Sequence, residues 1–227
     1  MRIALIGYGA MGKLIERLAV DQGNEVGVII DDSDANLFAG EVAEKLKGCD
    51  VAIEFTVGMA VRRNVEACVK ANVPVVVGTT GWSEDRVLIE NLVRDGNGTL
   101  IFGANFSIGV NLFYKVAEYA AELFSKFPEY ESFIEEQHHS RKKDAPSGTA
   151  LKLKEIAEKH VNIGRIAATR AGSIPGTHRL GFDCAADQIL LEHTARNREG
   201  FALGAIKAAE WIVGKKGFYE FTDVIEG

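Results

Sequence analysis

"RIALIGYGAMGK", Arg2 to Lys13, sets Gly7, Gly9 and Gly12 directly behind a β-branched apolar run. "RIALI" reads as a strand, and apolar residues recur at helical spacing from Met11 to Gln22, so G-x-G-x-x-G falls on a strand-to-helix turn. There, missing side chains let a pyrophosphate reach the backbone at a helix N-terminus, where N–H groups and the helix dipole favour negative charge. The second strand, "EVGVIID", ends on Asp31, close to the spacing of about 20 residues expected for a ribose-binding acid. The motif alone is weak, but this context points to a dinucleotide held by Gly7, Tyr8, Gly9, Ala10, Met11, Gly12 and Asp31. Asp31 can accept from both ribose hydroxyls of NADH. A 2′-phosphate would be repelled by Asp31 and Asp32 and meets no adjacent Arg, which favours NADH; Lys13, in the first helical turn, keeps NADPH open.

Outward from this turn, strand-like and helix-like runs alternate. "DVAIEFT" is followed by a helix from Ala60 to Ala71, "VPVVVGTTG" by a helix from Glu84 to Val93, and then comes "TLIFGAN". Such alternation predicts a parallel sheet covered on both faces. Between Asp31 and Cys49 there is room for one brief helix. Ligands of open α/β sheets bind at the carboxyl ends of strands, which draws in Phe55 of "EFT" and Gly78, Thr79 and Thr80 of "GTTG". Two readings of the latter stand side by side: donors for the nicotinamide half, or a turn with a helix cap.

From Phe106 the pattern changes: a helix "GVNLFYKVAEYAAELF", a strand-like "YESFIEEQHH", a helix from Ser147 to His160, and three strand-like runs, "RIAATRAG", "THRLGFDCA" and "DQILLEHTA". This predicts a second, α+β layer with a mixed or antiparallel sheet. "FALGAIKAAEWIVG" and "GFYEFTDVI" return to the first domain.

Composition narrows the classes. With 227 residues, 47% of them hydrophobic, the chain is an ordinary globular protein, and its net charge of −6 argues against a general nucleic-acid binder. No apolar run approaches the roughly 18 residues of a membrane span, and no signal peptide is recognised, so a cytoplasmic protein is expected. Cys49, Cys68 and Cys184 are too scattered for a disulfide framework or a zinc cage.

"EEQHHSRKKDAPSGTA", Glu135 to Ala150, concentrates chemistry. His138 and His139 on a regular strand would face opposite ways and could not jointly chelate an ion, so no metal is expected. A histidine titrates near neutrality, Lys142 follows with Arg141 and Lys143 beside it, and Pro146-Ser147-Gly148-Thr149 opens a helix whose amides suit a carboxylate or phosphate. Composition alone equally allows two loop histidines and a solvated charge run before a capped helix.

E-x-H-H-x-x-K-x-D-A-P-S-G-T-A, Glu136 to Ala150, resembles the signature of the dihydrodipicolinate reductase family, also called 4-hydroxy-tetrahydrodipicolinate reductases, of bacterial diaminopimelate and lysine biosynthesis. "GYGAMGK", "VAIEFT", "VPVVVGTTGW", "GANFSIGVNLF", "RAGSIPGTH" and "LEHTARNREGFALGAIKAAEWI" extend the similarity over nearly the whole chain. The resemblance implies a Rossmann-like α/β dinucleotide-binding domain, 1–105 plus 200–227, and a smaller α+β domain, 106–199, for substrate binding and oligomerisation as a homotetramer, with a hinge between them. It implies His138 as proton donor or acceptor and Lys142 as a second proton donor. His139 would contact one carboxylate of a cyclic dicarboxylate, and Gly148 with Thr149 the other. The cofactor, NADH or NADPH, would be held by Gly7 to Gly12, Asp31, Gly78 to Thr80, and Ala104, Asn105, Phe106 and Ser107. The reaction implied is hydride and proton transfer to an unsaturated ring with loss of water from its hydroxylated precursor. The chain is shorter than many relatives, after Asp31 and in the second domain.

Other candidates carry less. His160 reads as solvent-facing, His178 and His193 as structural in preference to substrate-touching, and Arg196 and Arg198 as hinge supports or sheet-end caps. The rival functions are another small NAD-dependent dehydrogenase, such as an aspartate dehydrogenase, which has no need of the D-A-P-S-G-T-A loop, and a non-catalytic dinucleotide sensor, which has no need of His138 and Lys142.

Overall fold

The computed structural model describes residues Met1 to Glu226. In chain order the elements are β1 (Arg2–Ile6), α1 (Ala10–Asp21), β2 (Glu25–Ile30), α2 (Ala39–Leu46), β3 (Val51–Glu54), α3 (Gly58–Ala71), β4 (Val75–Val77), α4 (Arg86–Asp95), β5 (Thr99–Phe102) and α5 (Ile108–Phe124). There follow β6 (Glu131–His138), α6 (Gly148–Ala157), β7 (Ile163–Arg170), β8 (Thr177–Asp183), β9 (Gln188–Thr194), α7 (Glu199–Ile212), β10 (Gly217–Glu220) and α8 (Phe221–Glu226). The contacts divide them into two compact units, one of Met1–Ser107 with the residues from Phe201 onward, the other Ile108–Gly200.

The first unit is an α/β layer. Six strands lie in the order β10-β5-β4-β3-β1-β2, every neighbouring pair parallel. A parallel sheet needs helical cover on both faces, hence the nearly continuous apolar runs: Ile3 to Ile6, Val51 to Ile53 and Val75 to Val77 are all buried. The order reverses at β1, so the carboxyl ends of β1 and β3 diverge into the crevice where such sheets take ligands. Apolar faces of the helices close the layer, with Val42, Val65, Cys68 and Ile89 joining Ile6, Val75 and Leu100 in one core. α3 ends on Asn72 in the left-handed region, whose N–H returns to the helix carbonyls.

The second unit has a four-stranded mixed sheet, β7-β6-β8-β9, with β6 and β7 parallel and the other pairs antiparallel. Burial alternates along β6: Ser132, Ile134, Glu136 and His138 point inward. Phe113, Ala117 and Ala121 of α5 and Leu153 and Ala157 of α6 pack with Ile134, Leu180 and Phe182, and the Phe124 and Phe182 rings stack at 4.0 Å.

Several boundaries differ from expectation. The segment from Ser83 to Asp85 is a 3-10 turn and the helix proper begins at Arg86, while α6 starts at Gly148, with Ser147 as its cap, and ends at Ala157, with Glu158 as its C-cap, short of His160. His139 lies one residue beyond β6, so strand alternation does not govern its side chain. No helix among the described residues is long and apolar enough to cross a membrane.

Candidate active site

In the first unit the glycine turn is shaped by close approach. Gly7 has φ +93°, and a Cβ there would lie 2.1 Å from the Phe55 carbonyl oxygen, so only glycine fits. The Gly7 N–H donates to the Ile30 oxygen at 2.7 Å, pinning the turn between β2 and β3. A Cβ on Gly9 would face open space, and as N-cap of α1 it brings no side-chain hydrogen bond to the first-turn amides. An unobstructed backbone at a helix N-terminus is what a pyrophosphate requires. Asp31 caps the following 3-10 turn, accepting from the Ser33 N–H and hydroxyl at 3.0 and 2.9 Å, both on Oδ1.

Glu54 closes β3 wholly buried, and burial raises its pKa against the opposing hydrogen bonds. Thr56 Oγ1 and Asn64 Nδ2 both donate to its Oε1, and the Thr56 N–H donates to Thr79 Oγ1 at 2.6 Å. This network ties the loop carrying Phe55 to the loop carrying Gly78, Thr79 and Thr80. The Trp82 indole donates to the Thr79 oxygen at 2.8 Å, and Gly81 turns the chain at φ +81°, while none of Gly78, Thr79 and Thr80 is the N-cap of the 3-10 turn or of α4, which start from Trp82 and Asp85 without a side-chain cap bond. Thr79, Thr80 and Ala104 come together in the wall of a cavity of about 180 Å³, with Trp82, Arg86 and Phe102. Asn105 Oδ1 accepts from the Ser107 N–H at 2.9 Å, and Phe106 is buried against Phe221.

In the second unit the sheet itself assembles a titratable cluster. β7 places Arg170 beside His138, and β8 places His178 beside Glu136. The Glu136 carboxylate, 1% exposed, meets His138 Nδ1 with Oε2, while Oε1 accepts from Arg170 Nη2 at 2.6 Å and from the Ser147 N–H at 3.3 Å. Burial would push Glu136 up, but Arg170 and His138 outweigh it and hold it below the usual carboxylate range. Burial pushes His138 down, and Lys142 and Arg170 add to this against the pull of Glu136. Lys142 rests on Asp144 at 2.8 Å, and Arg170 Nη2 also donates to the Asp144 carbonyl at 2.6 Å, so one guanidinium holds both the carboxylate and the loop.

Ser147 caps α6 by accepting from the Ala150 N–H at 3.2 Å, and its Oγ lies 3.0 Å from His178 Nε2. These contacts dock the start of α6 onto β6 and β8, leaving Gly148 exposed and Thr149 half-buried at the helix entrance. The His139 ring carries a buried Nδ1 without a partner, as do His178 and His193. His193 packs its ring near Phe113 at 6.0 Å between centroids, while Arg196 and Arg198 are exposed.

Glu136, His138 and His178 bring potential ligand atoms within 4.8 Å of one another, a grouping that the argument from His138 and His139 on a single strand overlooked. Arg170 already places a fixed cation on that carboxylate and both its oxygens are engaged, so the donor set does not suit a metal ion. Sequence reasoning also missed Glu136 and Arg170 as partners of His138. The signal for Glu136 was present, since positions two apart on a strand share a face. None existed for Arg170, which is brought in by strand pairing 32 residues later.

His178 titrates with a consequence for folding. Burial drives it down to about 4, with His138 adding to the shift. A histidine in the unfolded chain titrates near about 6.5. Between these values the unfolded chain takes up a proton that the fold refuses, so the contribution of neutral His178 is complete above about pH 6.5 and is lost as pH falls toward 4. We expect acidification from pH 7 to 4.5 to cost roughly 2 kcal/mol through this group. In His178→Gln, urea unfolding at both pH values should show that part of the slope gone; equal slopes in the two proteins would refute the attribution.

Residues 1–106 match the family described as dihydrodipicolinate reductase, N-terminus, and residues 109–225 the family described as dihydrodipicolinate reductase, C-terminus. The chain belongs to the dihydrodipicolinate reductase family. Among curated relatives of this family, 4-hydroxy-tetrahydrodipicolinate reductase of Christiangramia forsetii is 35% identical over 99% of this chain and 98% of its own. The protein of the same name from Archaeoglobus fulgidus is 36% identical over the full length of both. A dihydrodipicolinate reductase from Paenisporosarcina sp. TG-14, solved with dipicolinate bound, superposes with a TM-score of 0.81 over 98% of each chain at 22% identity, a likeness of fold. The N-terminal match covers the part of the first unit that carries the glycine turn, and the C-terminal match covers the second unit with its His138 cluster and then the returning segment from Phe201 that completes the first.

Proposed function

We propose that the protein is an oxidoreductase that converts 4-hydroxy-tetrahydrodipicolinate, by way of dihydrodipicolinate, to tetrahydrodipicolinate in the diaminopimelate route to lysine. The observation that carries this reading is one sheet end that unites a buried histidine–carboxylate pair, Lys142 and the open N-terminus of α6. A cyclic dicarboxylate needs an anion seat for each carboxylate. The Gly148 and Thr149 amides offer one, and His139, the residue after β6, is proposed for the other. Arrival of two negative charges favours protonated His138, readying a proton for the ring as it is reduced, with Lys142 beside it as the proposed second proton donor. NADH or NADPH, when bound, supplies the hydride. The residues that would hold it are Gly7 to Gly12, Asp31, Phe55, Gly78 to Thr80 and Ala104 to Ser107, which fits the open backbone at Gly9.

NADH is the favoured cofactor. Two cations on the segment after Asp31 are committed: Arg63 donates to the Asp34, Ala35 and Leu37 carbonyls at 3.1, 2.7 and 3.4 Å, and Lys45 is paired with Asp34, which leaves Lys13 as the cation that keeps NADPH open. A 2′-phosphate would meet the Asp31 and Asp32 carboxylates, with the Arg63 guanidinium already engaged. Asp31→Ser should lower the NADH to NADPH ratio of kcat/KM by about tenfold, the effect of removing one acceptor and one repulsive charge. An unchanged ratio would relocate the discrimination elsewhere.

The first unit is proposed to be the dinucleotide-binding domain and the second the substrate-binding and oligomerisation domain of a cytoplasmic homotetramer. Support for assembly comes from Leu112, Val116 and Tyr119, an apolar row on α5 that is 49, 53 and 63% exposed. Light scattering reads the assembly directly. The reaction is tested by supplying dihydrodipicolinate synthase, pyruvate and aspartate semialdehyde and following cofactor oxidation; folded protein that gives no synthase-dependent oxidation rejects the assignment.

A further inference from the structure

We propose that Glu136 and Arg170 are positioning residues that fix which nitrogen of His138 exchanges the catalytic proton; this rests on the reading of His138 given above. Glu136 is held as a carboxylate by Arg170 at 2.6 Å, and a carboxylate can only accept a hydrogen bond. The proton of neutral His138 must then sit on Nδ1, facing Glu136, and Nε2 is left as the atom that takes up and gives away protons. The arrangement is a histidine oriented by a buried acid, with a guanidinium behind the acid to keep it ionised.

The groups facing His138 come from every element around it: Glu136 from its own strand, Arg170 from β7, His178 from β8 with ring centroids 5.1 Å apart, and Lys142 from the loop. His178 stays neutral near pH 7, so the fixed charges are one anion and two cations. The anion favours protonated His138 and the cations disfavour it. Removing each partner therefore has an opposite consequence. Activity that requires the proton on Nε2 is lost as pH rises through the His138 titration. In Glu136→Gln that loss moves to lower pH; in Arg170→Met it moves to higher pH. Glu136→Gln should also reduce kcat by about 10²–10³-fold with a much smaller change in KM, because a Gln amide can donate to Nδ1 and hold the wrong tautomer.

Two measurements test this on the full chain. Nitrogen-15 spectra of histidine-labelled wild type, with His138 assigned by its absence in His138→Gln, should show the proton on Nδ1 and a bare Nε2 above the titration. The pH profiles of kcat and kcat/KM should then shift in opposite directions in Glu136→Gln and Arg170→Met. A role confined to holding the sheet together would lower both activities without opposed shifts. A proton on Nε2 in the wild type, or shifts that are absent or share a direction, would overturn the proposal. The spectrum needs no substrate and no variant of the pair, so an error in the assigned reaction leaves it intact and misfolding of either variant does not decide it.

Discussion

With His138 in its proposed role, His138→Gln is expected to lower kcat for the reductase reaction by about 10³-fold and to leave KM for the dicarboxylate within a few-fold of wild type, the pattern for loss of a general acid or base with the proposed anion seats kept. The effect is large because the neighbouring groups are placed for other contacts. His178 is held neutral by burial and its Nε2 faces the Ser147 hydroxyl. Lys142 is tied to Asp144 at 2.8 Å, so its ammonium is directed at that carboxylate. Gln is the informative replacement because its amide can still donate to Glu136, sparing the fold an unpaired buried carboxylate. Steady-state kinetics with NADH, alongside an unfolding curve for the variant, checks both statements. A fall of less than tenfold in folded enzyme would mean that the proton reaches the ring by another path.

Sequence reading went furthest where short-range rules suffice. The strand before Gly7, the helix that opens behind Gly9 and the end of β2 before Asp31 are each local patterns, and the first sheet follows from them by the preference for parallel strands between helices. Ser147 as a cap was legible for the same reason, since capping is decided within four residues. Helix starts were misjudged by about two residues because the approach to α4 winds as a 3-10 turn before the helix proper, a choice of hydrogen-bond partner that composition does not mark. The environment of His138 was not legible. Arg170, one of the cations that lower its pKa, and His178, whose ring packs against it, lie 32 and 40 positions away in the chain and reach it only through the pairing of β7 and β8 with β6. Glu54 likewise reads as the end of an apolar strand, and only its burial beside Thr56, Thr79 and Asn64 reveals a carboxyl group organising two loops.

Gly204→Ala destabilises the protein although it replaces a helix-interior glycine with the best helix former. Propensity alone would favour the change by about 1 kcal/mol. Packing opposes it: a Cβ at this position of α7 would stand 1.7 Å from the Phe106 carbonyl oxygen, 2.8 Å from its carbon and 3.2 Å from the Phe221 ring. Phe106 and Phe221 are each 2% exposed and packed on one another at 4.8 Å between centroids, so neither can swing into solvent at low cost. The helix or the segment from Ala104 to Ser107 has to move, and overpacking of this kind costs roughly 3 kcal/mol or more, leaving a net loss of about 2–3 kcal/mol and a melting temperature lower by about 5–10 °C. Because that segment is a proposed cofactor contact, the same variant should bind NADH several-fold more weakly at temperatures where it remains folded. Gly40 in α2 supplies the control: it is exposed, a Cβ there meets nothing within 4 Å, and Gly40→Ala should raise the melting temperature by a degree or two. Calorimetry of the two variants separates backbone propensity from close approach. Equal and positive shifts would mean that α7 does not press on Phe106, and opposite signs would fix that contact as the reason a glycine stands in the middle of an otherwise alanine-rich helix.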